Sequence, residues 1–281
     1  MRAFRKMSVA DIPAGLALCR AAGWNQLAHD WEAFLQLSPE GCLVCTDGHG
    51  KVVGTVTTVS YENHFSWIGM VLVDPAKRRQ GIGMQLLQEA LVVLSDSILV
   101  KLDATPAGRE VYLKLDFEEE YSISRMQVMS APVHAMGHSA ARPVVRKDLP
   151  ELIQLDRKVF GANRLPLLEL ILEAAPEFAF VTEGERGING YCFGRRGHNF
   201  SHIGPAIARD ISTAKSAFSG VLHNCKGPVI TDALHHTPEW ISWLSSIGFS
   251  EQRKLTRMFR GNNVYPGFPE KQFSILGPEF G

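Results

Sequence analysis

The stretch "VDPAKRRQGIGMQLLQEAL" (residues 73–91) decides how this chain is read. A valine-Xaa-proline corner enters a basic loop, and the loop runs directly into apolar positions at helical spacing from about Ile82 to Leu94. Gly81 and Gly83 lack a side chain, so the backbone there can turn sharply and bring its amides close to a ligand. Those amides stand in the first turn of a helix, where N–H groups have no intrahelical partner and the dipole favours an anion. Lys77, Arg78 and Arg79 add positive charge. The combination describes a phosphate or pyrophosphate site, although the same residues alone also fit a solvated strand-to-helix connection. A third glycine for a dinucleotide fingerprint is missing, and so is the Gly-Lys-Ser/Thr of a P-loop.

That charge is local. The chain of 281 residues carries 29 basic and 29 acidic side chains, so no global field directs it to nucleic acid or an anionic membrane. Its length favours two domains, and its apolar fraction of 45% suffices for a core without metal or disulfide support. No run approaches the length of a membrane span, and "MRAFRKMSVADIP" has no apolar segment that reads as a signal peptide. Five cysteines, Cys19, Cys42, Cys45, Cys192 and Cys225, suit reduced thiols in the cytoplasm. Cys42-Leu-Val-Cys45 has no second pair to complete a zinc site, and its odd spacing on a strand sends the two thiols to opposite faces, so no metal is expected.

The chain repeats itself. "LDFEEEYSISRM" (115–126) aligns without a gap on "IGFSEQRKLTRM" (247–258), placing Phe117 on Phe249 and Arg125 on Arg257 at an offset of 132. "ADIPAGLAL" (10–18) resembles "KDLPELIQL" (147–155), and Val73-Asp-Pro75 falls opposite Ile203-Gly-Pro205. One fold used twice is the expectation: residues 1–130, a small, polar, proline-bearing linker at 131–141, and residues 142–281. His134 and His138 in the linker have helical metal-ligand spacing, but nothing around them favours a helix.

In the first half, residues 11–22 and "AHDWEAFLQL" (28–37) read as amphipathic helices. "CLVCT", "KVVGTVTTVSY" and "FSWIGMVLV" read as an antiparallel meander, followed by the helix from Ile82, a buried strand "ILVKLDA", a helix around Arg109–Leu115 and closing strands from Phe117 to Val128. The fold class is therefore mixed α/β, each half a mostly antiparallel twisted sheet covered by helices.

Arg78-Arg-Gln-Gly81-Ile-Gly83, after a strand ending Val71-Leu72-Val73, resembles the acetyl-CoA signature of the Gcn5-related N-acetyltransferases, Arg/Gln-x-x-Gly-x-Gly/Ala. The element order matches, and Tyr112-Leu-Lys-Leu-Asp-Phe117 resembles the tyrosine and closing turn of that family's last helix, with Asp116 where glycine is usual. "AGWNQLAHDW" (22–31) and "LDATPAGREVY" (102–112) resemble a bacterial subgroup with two tandem acetyltransferase-like domains. The resemblance implies that backbone groups of Val71, Leu72 and Val73 hold the acyl carbonyl and pantetheine arm, and that the loop Arg78, Arg79, Gln80, Gly81, Ile82, Gly83 and Met84 holds the pyrophosphate. Tyr112 is then the acid for the thiolate.

Acetyl transfer to an amine also requires loss of the ammonium proton, which costs roughly 4–5 kcal/mol at neutral pH for a lysine-like amine. Glu62, His64 and Asp103 are candidate bases, each equally readable as a turn residue or a satisfied ion, and a water relay is the alternative. Trp24, Asn25, Asp30 and Trp31 resemble the subgroup's substrate-side segment, with core packing as the competing reading for the tryptophans. The second half lacks the machinery: the offset of 132 brings Leu244 to the position of Tyr112, and "AIARDISTAKSAF" (206–218) has no glycine and carries Asp210. The expected activity is an acetyl-CoA-dependent N-acetyltransferase for a small-molecule or peptide amine, with no nucleic-acid or membrane partner. The competing readings are an acyl-CoA-binding sensor without turnover and a transferase with a longer donor or thiol-sugar acceptor. The aromatic, proline-rich tail 265–281 is expected to dock on the body, by plain packing, with docking near the acceptor site as the alternative.

Overall fold

The computed structural model describes residues 2–132 and 139–281, so His134 and His138 lie outside the described residues. The first half runs β1 (Ala3–Lys6), α1 (Ile12–Ala21), α2 (Ala28–Leu37), β2 (Leu43–Thr46), β3 (Val52–Tyr61), β4 (Phe65–Val73), α3 (Ile82–Val93), β5 (Leu99–Ala104), α4 (Pro106–Tyr112) and β6 (Glu118–Val128). The second repeats the order with β7 (Arg142–Pro143), α5 (Leu149–Phe160), α6 (Leu165–Ala174), β8 (Ala179–Gly184), β9 (Gly187–Arg195), β10 (Ser201–Ala208), α7 (Ile211–Leu222), β11 (Val229–Leu234), α8 (Pro238–Ser246) and β12 (Ser250–Gly261). A short β13 (Gln272–Ser274) follows. One long strand, β6, stands where the sequence suggested several closing strands. Asp116 adopts φ +60°, the left-handed turn usually given to glycine and tolerated by aspartate.

The two halves do not keep separate sheets. Among the described residues the strands form one sheet in the order β1-β2-β3-β4-β5-β12-β6-β11-β13-β10-β9-β8-β7. The closing strands have changed sides: β12 of the second half lies between β5 and β6, and β6 of the first half lies between β12 and β11. Two arginine-aspartate pairs fasten the exchange. Arg257 on β12 is the cross-strand partner of Asp103 on β5 and donates to it through Nε and Nη2, both at 2.8 Å. Arg125 on β6 is the partner of Asp232 on β11 and donates through Nε and Nη2 at 2.7 Å. Both pairs are buried, so each half supplies the countercharge that the other half's interior requires.

Cores on the two faces complete the arrangement. Cys42 packs with Trp31 and Phe34 in a cluster that also takes in Leu168 and Phe193 of the second half, whereas Cys45 lies in a different cluster with Leu86 of α3, as alternation along a strand requires. The tail crosses the first cluster, with Phe280 stacked on Phe34 at 4.3 Å between ring centroids.

Candidate active site

Strands β4 and β5 pair in parallel only at Ser66–Val100 and Trp67–Lys101, then part. On the diverging side of β4 the register against β3 slips, Thr55 facing Leu72 and Thr57 facing Gly69, which leaves Met70 and Val71 without a Cα partner on β3. Met70 takes φ +50°, a strained conformation for a long side chain, and Thr55 Oγ1 donates to its carbonyl at 2.8 Å. The bulge therefore releases Met70 and Val71 from the β3 ladder beside the opening. At its mouth stands the N-terminus of α3, with Gly81 at φ +81° as the residue before the first helical turn and Arg79 also left-handed at φ +58°. A Cβ built on Gly83 would meet only Val73 Cγ2 at 3.6 Å, so the space beside that residue is open.

A cavity of about 720 Å³ joins this opening to a deeper chamber. Val71, Leu72 and Val73, with Arg78, Arg79, Gly81, Ile82, Gly83 and Met84, line it as the sequence suggested. Gln80 does not: its carbonyl accepts from Arg2 Nη1 at 2.8 Å and its side chain from Nη2, so Gln80 anchors the loop to the residue before β1. Tyr112 also lines the cavity, half-buried, its hydroxyl free of hydrogen bonds among the described residues. Burial pushes its pKa up to about 12, so it holds its proton at neutral pH. Thr105 caps α4 through Oγ1 to Gly108 N at 3.2 Å, and a Cβ on Gly108 would stand 3.0 Å from the Tyr112 ring.

Two of the three candidate bases fall elsewhere, and the third is engaged. Glu62 and His64, at the tip of the β3–β4 hairpin, point to the second half and do not line the cavity. Glu62 accepts from Arg157 Nη2 at 3.0 Å and Asn163 N at 2.9 Å. His64 Nδ1 is 2.9 Å from the Gly161 carbonyl, and its ring stacks on Tyr265 at 3.9 Å. Asp103 borders the chamber, but its carboxylate is enclosed and both oxygens are held by Arg257.

Of the four substrate-side residues, Trp24 lines the chamber. Trp31 is fully buried core. Asn25 Oδ1 accepts from Asn199 N and Phe200 N, and Asp30 caps Leu27 N and pairs with Arg195, so both bind the first half to the second.

The inner wall also carries residues that the sequence reading did not select: Gln26, Arg125, Arg253, Leu255 and, from the tail, Pro278 and Glu279. Glu279 Oε1 accepts from Gln26 at 2.9 Å and from Arg195. The Arg195 charge holds the Glu279 carboxyl below its ordinary range against the opposing effect of burial. The tail is pinned by Trp67 Nε1 to the Pro278 carbonyl at 3.0 Å and Tyr61 Oη to the Phe280 carbonyl at 2.8 Å. It thus packs on the body and also lines the cavity. A tail ending in aromatic and proline residues signals docking, but nothing local in it specifies where.

The corresponding region of the second half is closed. Strands β10 and β11 pair in parallel at Ser201–Val229 to Ile203–Thr231, and β13 then enters between them, Ser274 facing Ala206 on one side and Ala233 on the other. Helix α7 begins at Asp210, whose carboxylate accepts from Thr213 N at 2.8 Å and occupies the helix N-terminus itself. Leu244 is fully buried.

Comparison with known proteins agrees with this geometry. An acetyltransferase (GNAT) domain model matches residues 38–119 and a second model of the same description matches residues 152–274. Holothin acyltransferase of Pseudoalteromonas sp. (strain SANK 73390) is 27% identical over 250 residues, covering 86% of this chain and 82% of that protein. The uncharacterized N-acetyltransferase YitH of Bacillus subtilis (strain 168) is 22% identical over 218 residues, covering 77% of each. The crystal structure of a putative acetyltransferase from Pyrococcus horikoshii superposes with a TM-score of 0.84 at 21% identity, over 100% of this chain and 96% of that one. With a GNAT domain matched in each half, the chain belongs to the GNAT acetyltransferase family as a tandem-domain acyltransferase that uses an acyl-CoA cosubstrate.

Proposed function

We propose that the first half transfers an acetyl group from acetyl-CoA to the nitrogen of a primary amine on a small molecule or peptide, and that the second half no longer binds acyl-CoA. The observation that carries this reading is that Tyr112, with a hydroxyl free of hydrogen bonds among the described residues, lines the same cavity as the α3 N-terminus and the β4 bulge. The pyrophosphate is held by the amides from Arg78 to Met84, with Arg78 and Arg79 near it. The pantetheine arm runs along Val71 and Val73, and the Val71 N–H faces the developing oxyanion. The amine nitrogen attacks the thioester carbonyl, a C–N bond forms, and the C–S bond breaks as Tyr112 protonates the leaving thiolate. With Glu62 and His64 away from the cavity and Asp103 tied to Arg257, the amine proton leaves through chamber water, and Tyr112 is reprotonated from solvent. In the second half Asp210, β13 and Leu244 take the places of anion, acyl arm and acid.

The test is thiol release from acetyl-, propionyl- and longer acyl-CoA with amines, amino acids, aminoglycosides and peptides as acceptors. Acetyl-CoA is expected to react fastest with an amine. Faster turnover of a longer donor, or transfer only to a thiol, would remove the acetyl or the amine part of the proposal respectively.

A further inference from the structure

Strand exchange places an unpaired cation at the inner end of the cavity. Arg253 on β12 is the direct cross-strand partner of Arg125 on β6, and both line the chamber. Like charges directly opposite on a sheet destabilise it. Asp232 neutralises Arg125. Arg253 has no ion pair or hydrogen bond among the described residues, and its Nε is buried without a partner. Burial lowers its pKa to about 10, so it stays charged at neutral pH. Arg253 is half-buried and only its Nε is wholly enclosed, so the guanidinium tips are open to meet an anion in the cavity.

The remaining charges of the chamber leave one uncompensated carboxylate. Arg257 closes on Asp103 and Arg125 on Asp232. Arg195 is shared by two carboxylates, Nη1 to Asp30 and Nη2 to Glu279. His202 adds no charge: Arg195 Nη2 donates to its Nδ1 at 3.2 Å, which puts the ring proton on Nε2, 3.1 Å from Asp232, and burial lowers its pKa. Apart from the basic side chains Lys77, Arg78, Arg79 and Lys114 elsewhere on the lining, the group Asp30–Arg195–Glu279 carries one surplus negative charge, which reaches the cavity through Glu279, and Arg253 carries one surplus positive charge on the same cavity. Neither hydrogen bond nor ion pair joins the two among the described residues. Glu279 Oε2 accepts no hydrogen bond there either.

We propose that the acceptor is a small amino acid-like zwitterion, its carboxylate bound by the Arg253 guanidinium and its ammonium drawn to Glu279. The orientation follows from the backbone. Glu279 abuts Gly69 so closely that a Cβ on Gly69 would fall 2.6 Å from the Glu279 carbonyl, and Gly69 immediately precedes the Met70–Val71 bulge. With the Glu279 backbone against β4 and its carboxylate held by Gln26 and Arg195, the proposal assigns the ammonium end to that side of the chamber and the anionic end to the strand lent by the second half. Arg253 is a specificity-determining residue, supplied to the active half by the half that has lost its own cleft. The inference rests on the acyl-transfer reading and names its acceptor.

The experiment compares thiol release from acetyl-CoA with free amino acids and ω-amino acids against release with the carboxamide of each, alongside calorimetry of acetyl-CoA. At least one carboxylated amine is expected to exceed its carboxamide at least about tenfold in kcat/KM, as a charge-assisted contact implies. Arg253→Gln should reduce that preference to within about twofold, mainly through KM, and Arg253→Lys should retain part of it. The melting temperature of Arg253→Gln should not fall, because no protein contact is removed. Equal use of the carboxamides, a preference that survives Arg253→Gln, or a lowered melting temperature with the preference intact would each overturn the inference. Bound acetyl-CoA with turnover only on polyamines or other carboxylate-free amines would overturn it and leave acyl transfer standing. Failure of acetyl-CoA to bind would remove the acyl-transfer reading itself.

Discussion

The two halves keep the same framework charges and differ at the ligand. Asp11 accepts from Arg5 and from Ser8 N, and Asp148 accepts from Arg142 and from Val145 N, at the same relative positions. The pairs Arg257–Asp103 and Arg125–Asp232 are likewise copies, each joining one half to the other. At the cleft nothing matches: an open helix start at Gly81 faces Asp210, a gap between strands faces a gap filled by β13, and Tyr112 faces Leu244. The charges needed to build the sheet are therefore separable from those proposed to hold a ligand, and only the first kind is duplicated.

The most damaging change to the copy proposed to be active is Gly83→Glu. Its Cβ meets nothing closer than 3.6 Å, so folding should be spared while a carboxylate enters the pyrophosphate cradle. Acetyl-CoA affinity should fall by more than about 100-fold in calorimetry, with the melting temperature unchanged; retained affinity would sink the loop assignment. The reciprocal change, Asp210→Gly, uncaps α7 but leaves β13 in the gap, so calorimetry should still find a single binding site. A second site would show that the cap alone had closed the other copy.

The exchange predicts the next largest effect. Arg257→Met leaves Asp103 buried without its partner and should destabilise the protein by about 3–5 kcal/mol in urea unfolding, and Arg125→Met should do the same through Asp232. Replacing both members, Arg257→Met with Asp103→Leu, should recover most of the loss. If the double variant is as weak as the single one, packing rather than charge dominates that site.

Each copy's elements were legible because helices and strands announce themselves through local periodicity. The exchange was not: β6 and β12 read alike, and a strand's pattern tells which face is apolar without naming the neighbour. Arg125 and Arg257 marked the repeat, yet their partners Asp232 and Asp103 lie on the opposite copies, 107 and 154 residues away. Distance along the chain also hid Glu279 and Arg253, which reach the chamber only through the tail's path and the exchanged strand. Glu62 and His64 sat beside the right strand in sequence, but the far end of a nine-residue strand is far from its bulge.

Tyr112→Phe removes the acid and keeps the ring that packs on Gly108 and Phe117. Turnover should fall about 100-fold, with acetyl-CoA affinity changed by less than about twofold. Because burial holds the phenol at about 12, the parent enzyme should show no alkaline loss of kcat from this group below about pH 11. An unchanged rate in the variant would move the proton donor to water.

The smallest effect asks whether the copies still unfold independently. Arg5 and Ser8 lower the Asp11 pKa to about 2, below its unfolded value of about 3.9. The ionised form is thus favoured in the folded state, and the stabilisation is complete above about pH 4 and disappears as the pH falls towards 2. Arg5 is half-exposed, so screening reduces the contribution to about 1 kcal/mol. Asp11→Asn should lower the urea midpoint at pH 7 and show a shrinking deficit towards pH 2. Asp148, lowered by Arg142, should behave alike. Since neither β6 nor β12 pairs with a strand of its own copy, both variants should shift one shared transition by similar amounts. Two transitions, each moved by only one variant, would mean that the halves melt separately despite the exchange.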